Sequence, residues 1–232
     1  MTISFVGFSS SWDAGTDVIV APDPGTVSGD MMIAKVVGEQ NGDITLGSGF
    51  IVVDEASHPS TNMRMESAYQ ELIAAPLPNY TFTVQPNGVV VQILTFRSDT
   101  GGFNDPTALS TMHGIANANA NNIDSPSVTL EVGDAIVAAF GNDGINTLVT
   151  DPVDMVKTIF NDGDGGVSFS ISLTSYYHLA PGATVYTRNQ SWSGIDQVMS
   201  TAIVLRETTA GPVVNAKVLT SSVNVDDGSP IQ

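Results

Sequence analysis

Cysteine is absent from the 232 residues. That excludes disulfides, thiolate nucleophiles and cysteine-ligated metal sites, and it fits assembly in a reducing cytosol. Basic charge is scarce: seven Lys and Arg stand against 24 Asp and Glu, a net charge of −17. Such a surface repels nucleic acid and anionic lipid, so neither is an expected partner. Charge of both signs is sparse, at 13% of residues, so much of the surface is left to Ser, Thr, Asn and Gly. No apolar run approaches the roughly 18 residues of a membrane span. The opening "MTISFVGFSSSW" lacks the basic and long apolar regions of a secretory signal.

The apolar residues instead come in short runs closed by Gly, Pro, Asn and Asp, the pattern of β-strands. Strands are predicted at 3–8, 17–21, 31–37, 49–55, 63–74, 80–84 and 89–96. A second series is predicted at 127–132, 135–140, 146–150, 154–160, 166–179, 185–188 and 198–207. "PDPG", "QNGD", "PNG", "NDGDGG" and "APGA" mark turns between them. Residues 67–75 carry fair helix formers but read as strand. Residues 108–122, rich in Ala and Asn, read as a surface loop with one helical turn, because Asn competes for local backbone bonds. Within 1–207 only the 98–125 loop resembles a linker, so 1–207 is expected to form a single β-sandwich domain. Residues 208–232 are expected to be a C-terminal arm or extra strand, with apolar runs at Val213–Leu219 and Val223–Val225.

The second series echoes the first. "SGDMMIAKVV" is answered by "VGDAIVAAF", with Asp134 standing 104 residues after Asp30. Met32, Ala34 and Val36 match Ile136, Ala138 and Phe140, alternate residues that share one strand face. "SAYQELIAAP" is answered by "TSYYHLAP", and "VVVQILTFR" by "VMSTAIVLR", where Arg97 falls against Arg206. The expected fold is therefore all-β: an antiparallel sandwich of jelly-roll type made of two pseudo-repeated halves laid face to face. In both Gly-Asp strands the opposite face is apolar too: Met31, Ile33 and Val37, then Ala135, Val137 and Ala139. A strand with one wet face would be polar there. Two covers fit, the chain's own 98–125 segment or a neighbouring subunit.

The run of "ISFVGFSSSW", "PGTVSGDMMIAKVV", "SAYQELIAAPLPNYTFTV" and "VVVQILTFRSD", then "VGDAIVAAF" and "STAIVLRE", resembles a β-sandwich module of tailed-bacteriophage virion proteins. The resemblance spans about 3–207, and its motifs are short and structural. It implies a non-enzymatic role in the virion, as head decoration or as a tail-tip or tail-fibre component. It also implies other virion proteins as partners and homo-oligomers, and it transfers no catalytic residue. One module without a collagen-like or coiled-coil stalk favours a small stand-alone decoration protein over a complete fibre.

Motifs for chemistry are few. His58, His113 and His178 form no close metal spacing, and no nucleophile elbow or phosphate loop occurs. "NDGDGG" at 161–166 fails an EF-hand, because Gly166 falls where an oxygen ligand is needed. A calcium site using Asp162 and Asp164 stays open beside a plain hairpin turn. No catalytic, cofactor-binding or metal-ligating residue is therefore assigned, and no cofactor is expected. Tyr69, Tyr80 and Tyr176 are expected in the core. Trp12 and Trp192 sit among small polar residues, which suggests partial exposure. They are candidates either for stacking on a host-surface glycan or for capping the core.

Overall fold

The structure, a computed structural model, describes residues 2–13, 15, 17–39, 43–58, 63–84, 87–109, 114–144, 148–162 and 171–208, with backbone alone at 87, 115–119 and 159–162. The arm expected beyond Thr208, His113 and most of the 161–166 loop lie outside the described residues.

The chain is all-β, with antiparallel pairing throughout the described strands. One large sheet takes its strands from the first half. Its order is β1 (Ile3–Asp13), β8 (Asn87–Ser98), β3 (Met31–Glu39), β6 (Met63–Glu71) and β5 (Ile51–Ser57). The other takes its strands from the second half. Its order is β12 (Leu148–Thr150), β16 (Asn189–Leu205), β11 (Ala135–Asp143), β14 (Ile171–Leu179) and β13 (Val156–Asp162), and β9 (Ile115–Asp124) also pairs with β16. Two small sheets flank them. One is β2 (Asp17–Val20), β7 (Tyr80–Val84) and β4 (Ile44–Thr45); the other is β10 (Val128–Leu130) with β15 (Thr184–Tyr186). The described helix is one turn, α1 (Pro106–Leu109), too short to cross a membrane.

Alternation along β3 explains the layering. Met32, Ala34 and Val36 point to the first small sheet and pack with Val18, Tyr80, Phe82 and Val84. Met31, Ile33 and Val37 point the other way, toward the second large sheet. There Met31 and Ile33 share a cluster with Ala135, Val137, Ile203 and Leu205, and Val37 shares one with Ala139, Leu173 and Met199. On the far side of β11, Ile136 meets Val128, Leu130 and Tyr186, while Phe140 meets Ile123, Tyr176 and Trp192. Both middle strands are thus buried on both faces, which is why each reads as a continuous apolar run. Each fully buried large apolar side chain contributes about 1.5–3 kcal/mol. Neither expected cover lies on the Met31, Ile33, Val37 face or the Ala135, Val137, Ala139 face, because these two pack against each other between the large sheets. It is the other faces, Met32, Ala34, Val36 and Ile136, Ala138, Phe140, that need a cover, and the chain supplies it. On the first half it is the β2–β7–β4 sheet. On the second it is β10, β15 and β9, with Leu109 of the 98–125 segment packed alongside.

That segment departs from the expected loop. Residues 115–124 form a strand despite their Asn content, because β16 offers them a ladder from Asn189 to Ser200. Tertiary pairing here overrides a weak local preference.

Gly29 and Gly133 hold matching left-handed conformations, φ 91° and 89°, which suit glycine because it has no Cβ to clash. The carbonyl of Asp30 accepts the Leu72 N–H and that of Asp134 accepts the Ala180 N–H. Arg97 grips Asp30 through Nε and Nη2 at 2.7 and 2.9 Å, and Arg206 grips Asp134 in the same way at 2.8 and 2.7 Å. The two Gly-Asp turns and the two strand-closing arginines of the sequence therefore meet as two bidentate corners, each around a carboxylate that is almost fully buried.

Candidate functional site

Between the two large sheets, the apolar packing is interrupted by a polar belt. On β3 it falls at Lys35, between Ile33 and Val37. On β6, β8, β14 and β16 it falls at Ser67, Gln92, Ser175 and Thr201, all fully buried. Asp54 of β5 joins it, because Asp54 and Lys35 are both register partners of Ser67 and so share its face. Lys35 Nζ donates to Ser67 Oγ at 2.7 Å, and Ser67 Oγ donates to Thr201 Oγ1 of the opposite sheet at 2.6 Å. Two more bonds cross the gap: Gln92 Nε2 to the Leu173 carbonyl at 2.9 Å, and the Ala202 N–H to Asp54 Oδ2 at 3.0 Å.

Burial shapes the chemistry of this belt. It lowers the Lys35 pKa to about 7 against a smaller opposing pull from Asp54. Burial likewise raises the Asp54 pKa, although the Ala202 N–H and Lys35 oppose it. A serine bonded to a lysine of depressed pKa is an activated nucleophile wherever substrate can reach it. Lys35, Ser67 and Thr201 have no exposed surface. The belt opposes a slip of one sheet on the other, since a shift along the strands would set Lys35 and Asp54 against apolar side chains such as Met199, Leu173 or Ile203. The signal was present in the sequence: "MMIAKVV" places a lysine on an otherwise apolar inward face.

At the far end of both middle strands, Glu39 and Asp143 close β3 and β11. Burial, then the neighbouring Asp196 and Glu39, push the Asp143 pKa up to about 6. Burial also raises that of Glu39.

The residues singled out in the sequence do not converge. His58 is buried between β5 and β6, while His178 stands near the end of β14 with Nδ1 2.7 Å from the Asp154 carbonyl. Among the described residues no group of three or more His, Asp or Glu is placed to hold a metal ion. Trp192, expected to be partly exposed, is 2% exposed and packs in the core with Phe140 and Tyr176, so it offers no stacking face. Its neighbours in the chain are small and polar, but β16 carries it inward. Trp12 is 41% exposed on edge strand β1, on the same side as Phe8. Tyr80 and Tyr176 are core residues as expected; Tyr69 is half-buried, and its hydroxyl donates to Asp105 at 3.0 Å.

Accessible apolar side chains are scattered over turns and strands, Ile195 of β16 among them. Ile73 is 96% exposed and Val132 74%. Each adjoins one Gly-Asp corner: Ile73 follows Leu72, and Val132 precedes Gly133. The two corners lie at the same end of the molecule, because Met31 and Ala135, the first residues of β3 and β11, share one cluster. No family model matches the chain, and no curated protein or solved structure matches it.

Proposed function

We propose that this chain is a non-enzymatic structural protein of a tailed-bacteriophage virion, a head-decoration protein or a tail or fibre component that works through subunit contacts. The observation that carries this reading is the pair of apolar side chains, Ile73 and Val132, held out in water beside two ion-paired corners at one end of the body. Apolar groups presented on a rigid scaffold suit docking against other virion subunits. The acidic, hydroxyl-rich remainder stays in solvent.

The fold adds support by analogy. In a jelly roll the first and eighth strands, and the third and sixth, become neighbours in one sheet, while the second and seventh pair in the other. The first half has β1–β8–β3–β6 in its large sheet and β2–β7 in its small one. The second has β9–β16–β11–β14 and β10–β15. On this reading residues 1–207 form one domain, in which two pseudo-repeated halves, each wrapped as a jelly roll, lie face to face as a sandwich. Jelly rolls recur in viral capsid proteins, an association at the level of fold alone.

Quantitative mass spectrometry of purified particles tests the reading. The protein is expected in the virion, at hundreds of copies if it decorates the head and far fewer in a tail. Ile73→Glu combined with Val132→Glu should leave unfolding within about 0.5 kcal/mol of wild type but remove the protein from particles. Its absence from purified virions defeats the proposal.

A further inference from the structure

An open hollow of about 580 Å³ lies beside β15, a size within the range of about 300–1,000 Å³ typical of small-molecule sites. Asp154, His178, Gly182, Thr184, Tyr186 and Arg188 line it. Tyr186 is its buried base. The His178 ring stacks on the Tyr186 ring with centroids 4.8 Å apart and planes 20° apart, and the Arg188 guanidinium carbon sits 3.8 Å from the Tyr186 centroid. Arg188 is pinned further by Nε and Nη1, which donate to the carbonyls of Val153 and Thr187 at 2.9 and 2.8 Å. His178 Nδ1 faces the Asp154 carbonyl. A carbonyl only accepts, so Nδ1 carries the proton and Nε2 of the neutral ring is an acceptor. The polar groups are thus set in place before any ligand arrives.

One contact in this hollow is left open. Arg64, Arg97 and Arg206 hold carboxylates at 2.7–3.2 Å, whereas Arg188 Nη2 stands 3.7 Å from Asp154 Oδ2. That is too long for a direct hydrogen bond, so the guanidinium keeps capacity to donate into the hollow and the carboxylate to accept from it. A ligand that serves both must accept from the guanidinium and donate to the carboxylate. A hydroxyl does both; a carboxylate cannot donate, and an ammonium cannot accept. The net charge of −17 further disfavours an anionic ligand. Also in the lining, space around Gly182 is open, with nothing within 4 Å of where a side chain would begin. A ring therefore has room beside the polar groups.

We infer that this hollow binds a neutral polyhydroxylated ligand, a hexose unit of a glycan, whose hydroxyls donate to Asp154 and accept from Arg188. A neighbouring hydroxyl donates to His178 Nε2. The site uses neither tryptophan, and it stands independently of the virion reading.

Saturation-transfer NMR on the whole protein tests it, with the methyl glycosides of mannose, galactose, glucose and N-acetylglucosamine as probes and acetate as the anion control. At least one glycoside should receive saturation. Asp154→Asn and Arg188→Lys should each weaken its binding about tenfold, while Trp12→Ala leaves it unchanged. Asp154 is 66% exposed, so its variant keeps the fold and carries the test if the arginine variant does not fold. Silence from all four glycosides, binding of acetate alone, or glycoside binding that survives Asp154→Asn but is lost in Trp12→Ala would each overturn the assignment.

Discussion

Lys35 and Asp54 show how one buried pair couples chemistry to stability. Both are held in a belt with no solvent, and burial displaces each pKa toward its neutral form. The folded Lys35 releases its proton near pH 7, whereas an unfolded lysine keeps it to about 10.5. Between those values the unfolded chain binds more protons, so this group makes stability rise with pH across the window. The raised Asp54 works in the opposite sense: its contribution is complete below the free carboxyl value of 3.8 and is lost as pH rises through its folded pKa. Replacing both, as Lys35→Met with Asp54→Asn, removes two buried charges together. Urea unfolding is expected to show stability unchanged or raised by about 1–4 kcal/mol, and the rise between pH 7 and 10.5 should vanish. A persistent rise in the double variant would place the titration elsewhere.

Among the elements, the Gly-Asp corners matter most. Each joins a left-handed glycine, a buried carboxylate and an arginine from the strand beside the middle one. Removing the guanidinium strands the carboxylate: Asp134 is 2% exposed, and Arg206 supplies two of its hydrogen bonds. Arg206→Ala is therefore expected to cost about 3 kcal/mol, read as a lower urea midpoint at unchanged slope. Arg206→Lys should recover only part of that, since an ammonium cannot reproduce the two-pronged grip. The components of both corners were legible in the sequence as "SGD" with "TFR" and "VGD" with "VLR". The strand at 115–124 was not, because Asn and Ala are weak strand formers and only the ladder of β16 makes them extended.

At the scale of the whole molecule, the two large sheets also meet at an acidic end. Asp143 has its pKa pushed up to about 6 by burial and by Asp196 and Glu39. A carboxyl raised from 3.8 contributes stability that is fully present below 3.8 and lost as pH rises through 6. Asp143→Asn should therefore flatten that fall and raise the melting temperature at pH 7; an unchanged profile in thermal scans would contradict the placement. Strand class, the turns and the apolar character of both faces of β3 and β11 were determined by the sequence alone, because alternation and Gly-Asp chemistry are local. Which surface covers those faces was decided only in three dimensions. Pairing partners such as β16 and β9 lie far apart in the chain, and their layers seal the faces internally. The same holds for the burial of Trp192, the meeting of Lys35 with Thr201, and the hollow of Asp154, His178 and Arg188. Each depends on distances between strands, and no spacing along the chain encodes such distances.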